Sequence, residues 1–407
     1  MKPMGSIPPG FDSRDGELAV AGNKVSSLIG EQPTFVYDAN LLGSRMQRLR
    51  SAMPDQLAIH YAMKANPFPP LVAVMARLSD GIDVASAGEL RRARKAGAKE
   101  ISFAGPGKRD GELDEALAAG VTINLESEGE FARLLVRAER CGQRPRVAVR
   151  VNPDFDVKAS GMRMGGGSAP FGVDAERVPA LVAEIRASGA EFGGFHIFAG
   201  SQNLRGDLLI EAQAKTLSLA ARLAKQSDVM PPLVNLGGGF GIPYFPGEEE
   251  LDVEAIGDAL GEQLSRLPDS LAQSRFAIEL GRWLVGPAGV YLARVIDVKE
   301  SRGRMFVVTD GGLHHQLAAT GNFGTVIRRN YPLANASRFD AEVSMEADVV
   351  GCLCTPLDRL GEAVMIAPTA PGDIIALFMA GAYGATASPA AFLGHPPALE
   401  RLVGDGI

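Results

Sequence analysis

Cysteine is scarce in this chain: Cys141, Cys352 and Cys354 are the only three among 407 residues. Three thiols cannot build a disulfide framework, and the spacing Cys352-Leu353-Cys354 fits no common zinc site, so no metal is expected and a reducing compartment is the simpler setting. Blocks rich in Lys or Arg are missing too, and the formal net charge is −7. Nucleic acid and anionic membranes are therefore not expected partners. No apolar run approaches the ~20 residues that span a bilayer. The opening MKPMGSIPPGFDSRDG also lacks the apolar centre of a signal peptide. The expected location is the cytoplasm. What is present, 46% hydrophobic and 22% charged residues, suits a soluble globular chain long enough for two domains.

Between Leu57 and Arg282 one pattern recurs: a short β-branched or apolar run, a turn, then a helical period. The candidate strands are LAIHYAMK, GIDVAS, ISFAG, VTINLES, RVAVRVN, GGFHIFAG, LVNLGGG and RFAIELGR. Ser86 with Glu89 and Ser127 with Glu130 read as capping boxes opening helices that stop near Gly97 and Gly142. Eight such units match a (β/α)8 barrel, with an open doubly wound sheet as the alternative. After Trp283 strand-like runs follow one another without long helices, which points to a C-terminal all-β domain. The expected division is an N-terminal segment 1–32 packing with the β-domain, a barrel over 33–285 and a β-domain over 286–407.

If the barrel forms, its strand ends carry the unusual residues. Lys64 ends the first strand, Asp83 lies in the second, Arg150 in the fifth and His196 in the sixth. Gly237, Gly238 and Gly239 follow the seventh, and Glu279 and Arg282 end the eighth. Each alone has a structural explanation, such as a solvent-facing lysine, a core histidine or a wall ion pair. Together they converge on the face where barrel enzymes keep their sites. Glycines after a strand let backbone N–H groups approach a phosphate, and a lysine amine with a buried acid suits pyridoxal phosphate. Desolvation would leave more of a semi-buried Lys64 amine neutral and nucleophilic.

YAMKANP, HIFAGSQN, LGGGFG, ELGR, GCLCTPLD and GAYG, in this order over nearly the whole chain, resemble the alanine-racemase-fold pyridoxal-phosphate decarboxylases, the group of diaminopimelate and ornithine decarboxylases. The resemblance implies pyridoxal 5'-phosphate as cofactor, with Lys64 as the Schiff-base lysine, His196 stacked on the pyridine face and Glu279 at its nitrogen. Ser201, Gly238, Gly239, Gly281, Arg282 and Tyr383 would surround the phosphate, while Asp83 and Arg150 support the lysine and cofactor. It also implies a homodimer with shared sites, in which Cys354 enters from the partner subunit to reprotonate the substrate and Asp358 accompanies it.

Where diamine-type members of the family carry an acidic residue after this cysteine, the chain has Thr355. A hydroxyl cannot supply a charge-assisted contact to a distal ammonium. HIFAGSQN, CTPLD and GNFGTVIRRNYP are similar to the subgroup that decarboxylates glutamyl groups on an acyl-carrier protein in butirosin-type pathways, and to relatives in exosortase-associated gene clusters. The expected substrate is a carrier-bound glutamyl group, with Arg328 and Arg329 as candidate docking residues or plain surface arginines. The alternative is free meso-diaminopimelate, ornithine, lysine or arginine. A racemase, or a relative that only binds partners, is further down the list of readings.

Overall fold

All eight apolar runs form strands: β1 (Leu57–Ala62), β2 (Gly81–Val84), β3 (Ile101–Phe103), β4 (Thr122–Leu125), β5 (Arg146–Asn152), β6 (Glu191–Ile197), β7 (Leu233–Gly238) and β8 (Arg275–Leu280). The computed structural model describes residues 1–155, 162–163, 165–321 and 328–405. Neighbouring strands pair in parallel, and β8 returns to β1, so the sheet closes into a barrel. The (β/α)8 expectation holds and the open sheet is excluded. Every residue of β1 is buried, which explains why such strands read as continuous apolar runs with few polar interruptions.

Helices Pro69–Leu78, Ala87–Lys95, Asp110–Ala119, Glu128–Cys141, Val178–Ser188, Gly206–Gln226 and Val253–Leu264 follow the first seven strands in turn. Local chemistry starts and stops them. Ser86 Oγ accepts from the Glu89 amide at 3.2 Å, which caps the helix, while the Glu89 carboxylate accepts from the Ala85 amide at 2.7 Å, one residue before the cap, so the reciprocal bond of the expected capping box goes to Ala85 instead of Ser86. Ser127 Oγ accepts from Glu130 N at 3.1 Å, and Gly142, at φ 61°, ends that helix in the left-handed region. Each such cap is worth about 1 kcal/mol.

The chain divides into two compact units; the barrel unit holds residues 46–241 and 250–281, and the other holds 1–45, 242–249 and 282–407. In the second unit β9 (Gly289–Ser301), β10 (Arg304–Thr309), β11 (Leu333–Asn335), β12 (Met345–Val350), β13 (Arg359–Ile366) and β14 (Ile374–Leu377) lie in the order β11-β14-β9-β10-β12-β13. Thr34–Asp38, which falls within the 33–285 range of the sequence division, hydrogen-bonds here, antiparallel to β9 and parallel to Leu399–Val403. Phe11, Leu18, Val20 and Val25 pack with Val290, Leu292, Ile374, Ala376 and Phe378 in one core cluster. The N-terminal segment is thus tied into this unit by apolar burial as well as by the Phe339 amide, which donates to the Gly16 carbonyl at 2.8 Å.

Candidate active site

The β1 ladder stops at Ala62 and the chain makes a 3-10 turn over Met63–Ala65. Tyr61, fully buried within the strand, reaches forward so that its hydroxyl donates to the Asn66 carbonyl at 2.7 Å. Asn66 Oδ1 accepts from the Phe68 amide at 3.0 Å, and Pro69 then opens the next helix. A buried strand, a pinned turn and a helix start therefore hold Lys64 at one place. Its amine lies 5.2 Å from the centre of the Phe198 ring, just past the end of β6. The expected semi-burial is not found: Lys64 is exposed in the single chain, because the turn lifts it off the packed end of β1.

Inside the barrel, polar residues from different strands meet. His60 Nδ1 on β1 is 3.3 Å from Asp83 Oδ1 on β2. His196 Nε2 on β6 lies 2.9 Å from Glu279 Oε2 on β8, a close polar contact without hydrogen-bond alignment, and Asn235 on β7 donates to the same oxygen at 3.4 Å. Burial pushes the Glu279 carboxyl up, but the His196 ring, with Lys64 and Arg150, pulls it down to about 2. Glu279 is therefore a carboxylate throughout the neutral range. Burial raises the Asp83 carboxyl despite its His60 partner, so the two barrel acids are driven in opposite directions.

Arg150 pairs with Glu126 at 2.8 Å, and Glu126 also accepts from the Gly105 and Gly172 amides at 2.6 and 2.8 Å. Below it, Lys108 donates to Glu130 at 2.9 Å and to the Gly105 and Asn124 carbonyls at 2.8 Å each. Removing one partner of such a buried pair leaves an uncompensated charge, at a cost of about 3–5 kcal/mol. The sequence reading missed Lys108 and Glu126, and assigned Glu130 only a capping role. The proximity of two acids to a capped helix start was the available signal, but the partners lie more than twenty residues apart.

Gly238 and Gly239 follow from backbone packing itself. A Cβ on Gly238 would sit 1.9 Å from the Glu279 carbonyl oxygen, and Gly239, at φ +88°, would place one 2.3 Å from the Gly200 carbonyl oxygen. Ser201, beside Gly200, is partly buried at this end of the barrel. Gly281 has a different reason: a Cβ there would meet Ala65 Cβ at 2.7 Å, so only glycine lets the end of β8 pass the turn that carries Lys64.

The β-rich unit, taken by itself, holds a further group. Arg282 donates to the Tyr244 hydroxyl at 2.8 Å, and its guanidinium carbon stands 4.6 Å over the Tyr383 ring. Tyr383 itself holds φ at 56°, a region a tyrosine seldom adopts. In the loop between β12 and β13, Cys354 is exposed and Thr355 partly so. Asp358, expected beside the substrate, is turned inward instead: it is 3% exposed and its oxygens accept from Leu313 N at 2.6 Å and Leu353 N at 2.8 Å. It shapes the loop. Arg328 is likewise engaged in the fold, its Nε donating to the Thr320 carbonyl at 2.9 Å and its Nη2 to Leu357 O at 3.3 Å, so two of its three guanidinium nitrogens serve the fold instead of the expected docking role. Arg329 pairs with Glu248 at 3.1 Å. Residues 160, 161 and 164 of the glycine-rich stretch 160–172, and 322–327 of the stretch 321–332, lie outside the described residues.

These groups fit pyridoxal 5'-phosphate. Within the barrel His60 Nε2, Asp83 Oδ2 and His196 Nδ1 are buried and have no hydrogen-bond partner among the described residues, a set that a polar aromatic ligand would satisfy. An exposed amine, a permanently ionised carboxylate and glycine-bearing strand ends supply the remaining needs of an aldehyde, a ring nitrogen and a phosphate.

Comparison with known proteins agrees. Residues 40–286 match the family described as pyridoxal-dependent decarboxylase, pyridoxal binding domain. The chain is 36% identical over 387 residues to the L-glutamyl-[BtrI acyl-carrier protein] decarboxylase of Niallia circulans, covering 92% of this chain and 90% of that protein. It is 32% identical to the diaminopimelate decarboxylase of Aquifex aeolicus, covering 98% and 93%. Among solved structures, diaminopimelate decarboxylase from Helicobacter pylori complexed with L-lysine superposes with a TM-score of 0.82 at 27% identity, covering 94% of each chain. With the barrel, the lysine turn and the buried acid already in place, the chain belongs to the pyridoxal-dependent decarboxylases, and it is a carboxy-lyase whose cofactor is pyridoxal 5'-phosphate.

Proposed function

We propose that the enzyme removes the α-carboxylate of a glutamyl-type aminoacyl group carried on an acyl-carrier protein, as a cytoplasmic homodimer with shared sites. The observation that carries the substrate reading is the loop over 351–358. Thr355 follows Cys354 there, and the one acid of the loop, Asp358, is already engaged by two backbone amides. No carboxylate of this loop is left to meet a distal ammonium. A carrier-bound glutamyl group has none at that position, and one relative acts on L-glutamyl-[BtrI acyl-carrier protein] by its name. The second reading, decarboxylation of free meso-diaminopimelate, ornithine, lysine or arginine, is favoured by the diaminopimelate decarboxylase relatives.

The chemistry the bound cofactor supplies is an electron sink for the pair left when the carboxylate departs as CO2. Lys64 offers the amine that holds it. Glu279 would hold the ring nitrogen in its positively charged form, and His196, beside that carboxylate, would pack on the ring. Ser201, Gly238, Gly239 and Gly281 would hold the phosphate through a hydroxyl and backbone N–H groups, and the family's motifs would add Arg282 as a cation and Tyr383 as a hydroxyl. Asp83, through His60, and Arg150, through Glu126, fix the walls. Both Lys64 and Cys354 are exposed in the single chain, which supports a dimer in which the partner's Cys354 delivers the proton that replaces CO2. Among the described residues no helix is long and apolar enough to cross a membrane, and all three cysteines are free.

Thr355→Glu tests the substrate reading. It is expected to raise kcat/KM for a free basic amino acid by about one to two powers of ten, the value of a charge-assisted contact of about 1.5–3 kcal/mol, and to lower it for a carrier-bound glutamyl group. Steady-state kinetics on both substrate classes decide it, and unchanged ratios would remove Thr355 from the distal pocket.

A further inference from the structure

Outside the residues assigned above, three side chains from distant segments converge in the β-rich unit. His314 follows β10, Cys352 follows β12, and His395 follows the short turn Phe392–Gly394. Their donor atoms all lie within 4.8 Å of one another, and Cys352 Sγ is 3.9 Å from Nδ1 and 4.0 Å from Nε2 of His395. A tetrahedral zinc site with Zn–N of about 2.0–2.1 Å and Zn–S of about 2.3 Å has ligand-to-ligand edges of about 3.4–3.8 Å. The widest separation in the cluster thus exceeds those edges by at most about 1.4 Å, a distance that side-chain rotation can cover.

His314 distinguishes this cluster from a chance meeting of loops. It is 0% exposed, yet among the described residues neither of its ring nitrogens has a hydrogen-bond partner. The adjacent His315 shows how a merely structural histidine is satisfied here: its Nδ1 meets the Tyr291 hydroxyl at 2.9 Å and its Nε2 meets the Pro396 carbonyl at 2.9 Å. A buried imidazole with two unsatisfied nitrogens beside a thiol and a second imidazole is a donor set of the kind that holds a metal ion.

We propose that His314, Cys352 and His395 bind a divalent metal ion of the zinc class, with one coordination position left for water or a further donor. Sulfur and imidazole donors select against the hard cations magnesium and calcium. Short-range spacing could not reveal the site, since His395 lies 43 residues from Cys352; the expectation that no metal binds rested on the Cys352-Leu353-Cys354 spacing alone. Cys352 stands two residues before Cys354, so the ion ties the loop bearing Cys354 and Thr355 to the C-terminal segment. The inference does not depend on the substrate, and a metal readout separates it from decarboxylation.

The test uses the full-length holoenzyme, stripped with a chelator, dialysed into metal-free buffer and titrated with zinc chloride. Isothermal titration calorimetry and elemental mass spectrometry are expected to show one zinc per chain, and X-ray absorption at the zinc edge one sulfur and two imidazole nitrogens. Cys352→Ser and His395→Ala should each weaken binding at least about tenfold while far-ultraviolet circular dichroism stays native, and Cys354→Ser should leave it unchanged. Sub-stoichiometric zinc in the parent, equal binding in Cys352→Ser and the parent, or loss in Cys354→Ser but not in Cys352→Ser would each overturn the site. His395→Ala keeps the proposal open to refutation if Cys352→Ser misfolds.

Discussion

A Lys64→Ala chain and a Cys354→Ala chain, each at least about 10³-fold less active than the parent, regain activity when their subunits are exchanged. Random reassortment makes half of the dimers mixed, and each mixed dimer has one site with both Lys64 and a partner's Cys354. Recovery to about one quarter of parental activity follows from that two-fold arithmetic. Both side chains are exposed in the single chain, as a site completed across a dimer requires. Activity that stays at the level of the parents, with exchange proven by mass-tagged subunits, would rule out the shared arrangement. Product analysis adds a second readout: without its thiol donor, Cys354→Ala should yield aldehyde and an equal amount of pyridoxamine phosphate alongside amine, because a proton delivered to the cofactor's carbon leaves the amino group on the cofactor and water then releases the aldehyde.

Glu279→Gln carries the second large effect. The carboxyl is held at about 2 by its neighbours, so it remains a full negative charge at every working pH, and glutamine removes that charge without changing the shape. A loss of about 10²–10³-fold in kcat is expected, with cofactor content near one per chain, because the missing charge acts on the reacting state more than on binding. Acid stability gives an independent sign. A depressed carboxyl contributes stability fully above its ordinary value of 4.5, and the contribution is lost as the pH falls through about 2. Urea melts of the parent should therefore weaken more steeply than those of Glu279→Gln between these limits. A variant within a few-fold of parental kcat would show that the carboxylate does not serve the ring nitrogen.

The barrel was legible because parallel strands are buried on both faces and so write themselves as uninterrupted apolar runs, and because Ser86 and Ser127 announce their helices through contacts only three residues long. Thr34–Asp38, Leu333–Asn335 and Leu399–Val403 were not, since their identity as strands comes from partners far along the chain. The same limit applies to the site. Lys64, His196 and Glu279 could be named because they interrupt apolar strands at their ends. The exposure of Lys64, the inward turn of Asp358 and the engagement of Arg328 with backbone carbonyls depend on turns and neighbours that no local pattern encodes. Glu126 with Arg150, and Lys108 with Glu130, are pairs formed across adjacent barrel units and appear only once the sheet is closed.

The most direct test of the central claim is loss of CO2 from two substrates offered side by side to the parent enzyme: a glutamyl group loaded on an acyl-carrier protein, and free meso-diaminopimelate or ornithine. Intact-protein mass spectrometry of the carrier should show the decrease of one CO2, with kcat/KM at least about tenfold above that for any free diamino acid. Efficient turnover of a free diamino acid with an unchanged carrier-bound glutamyl group would contradict the account and establish the diamine-type reading in its place.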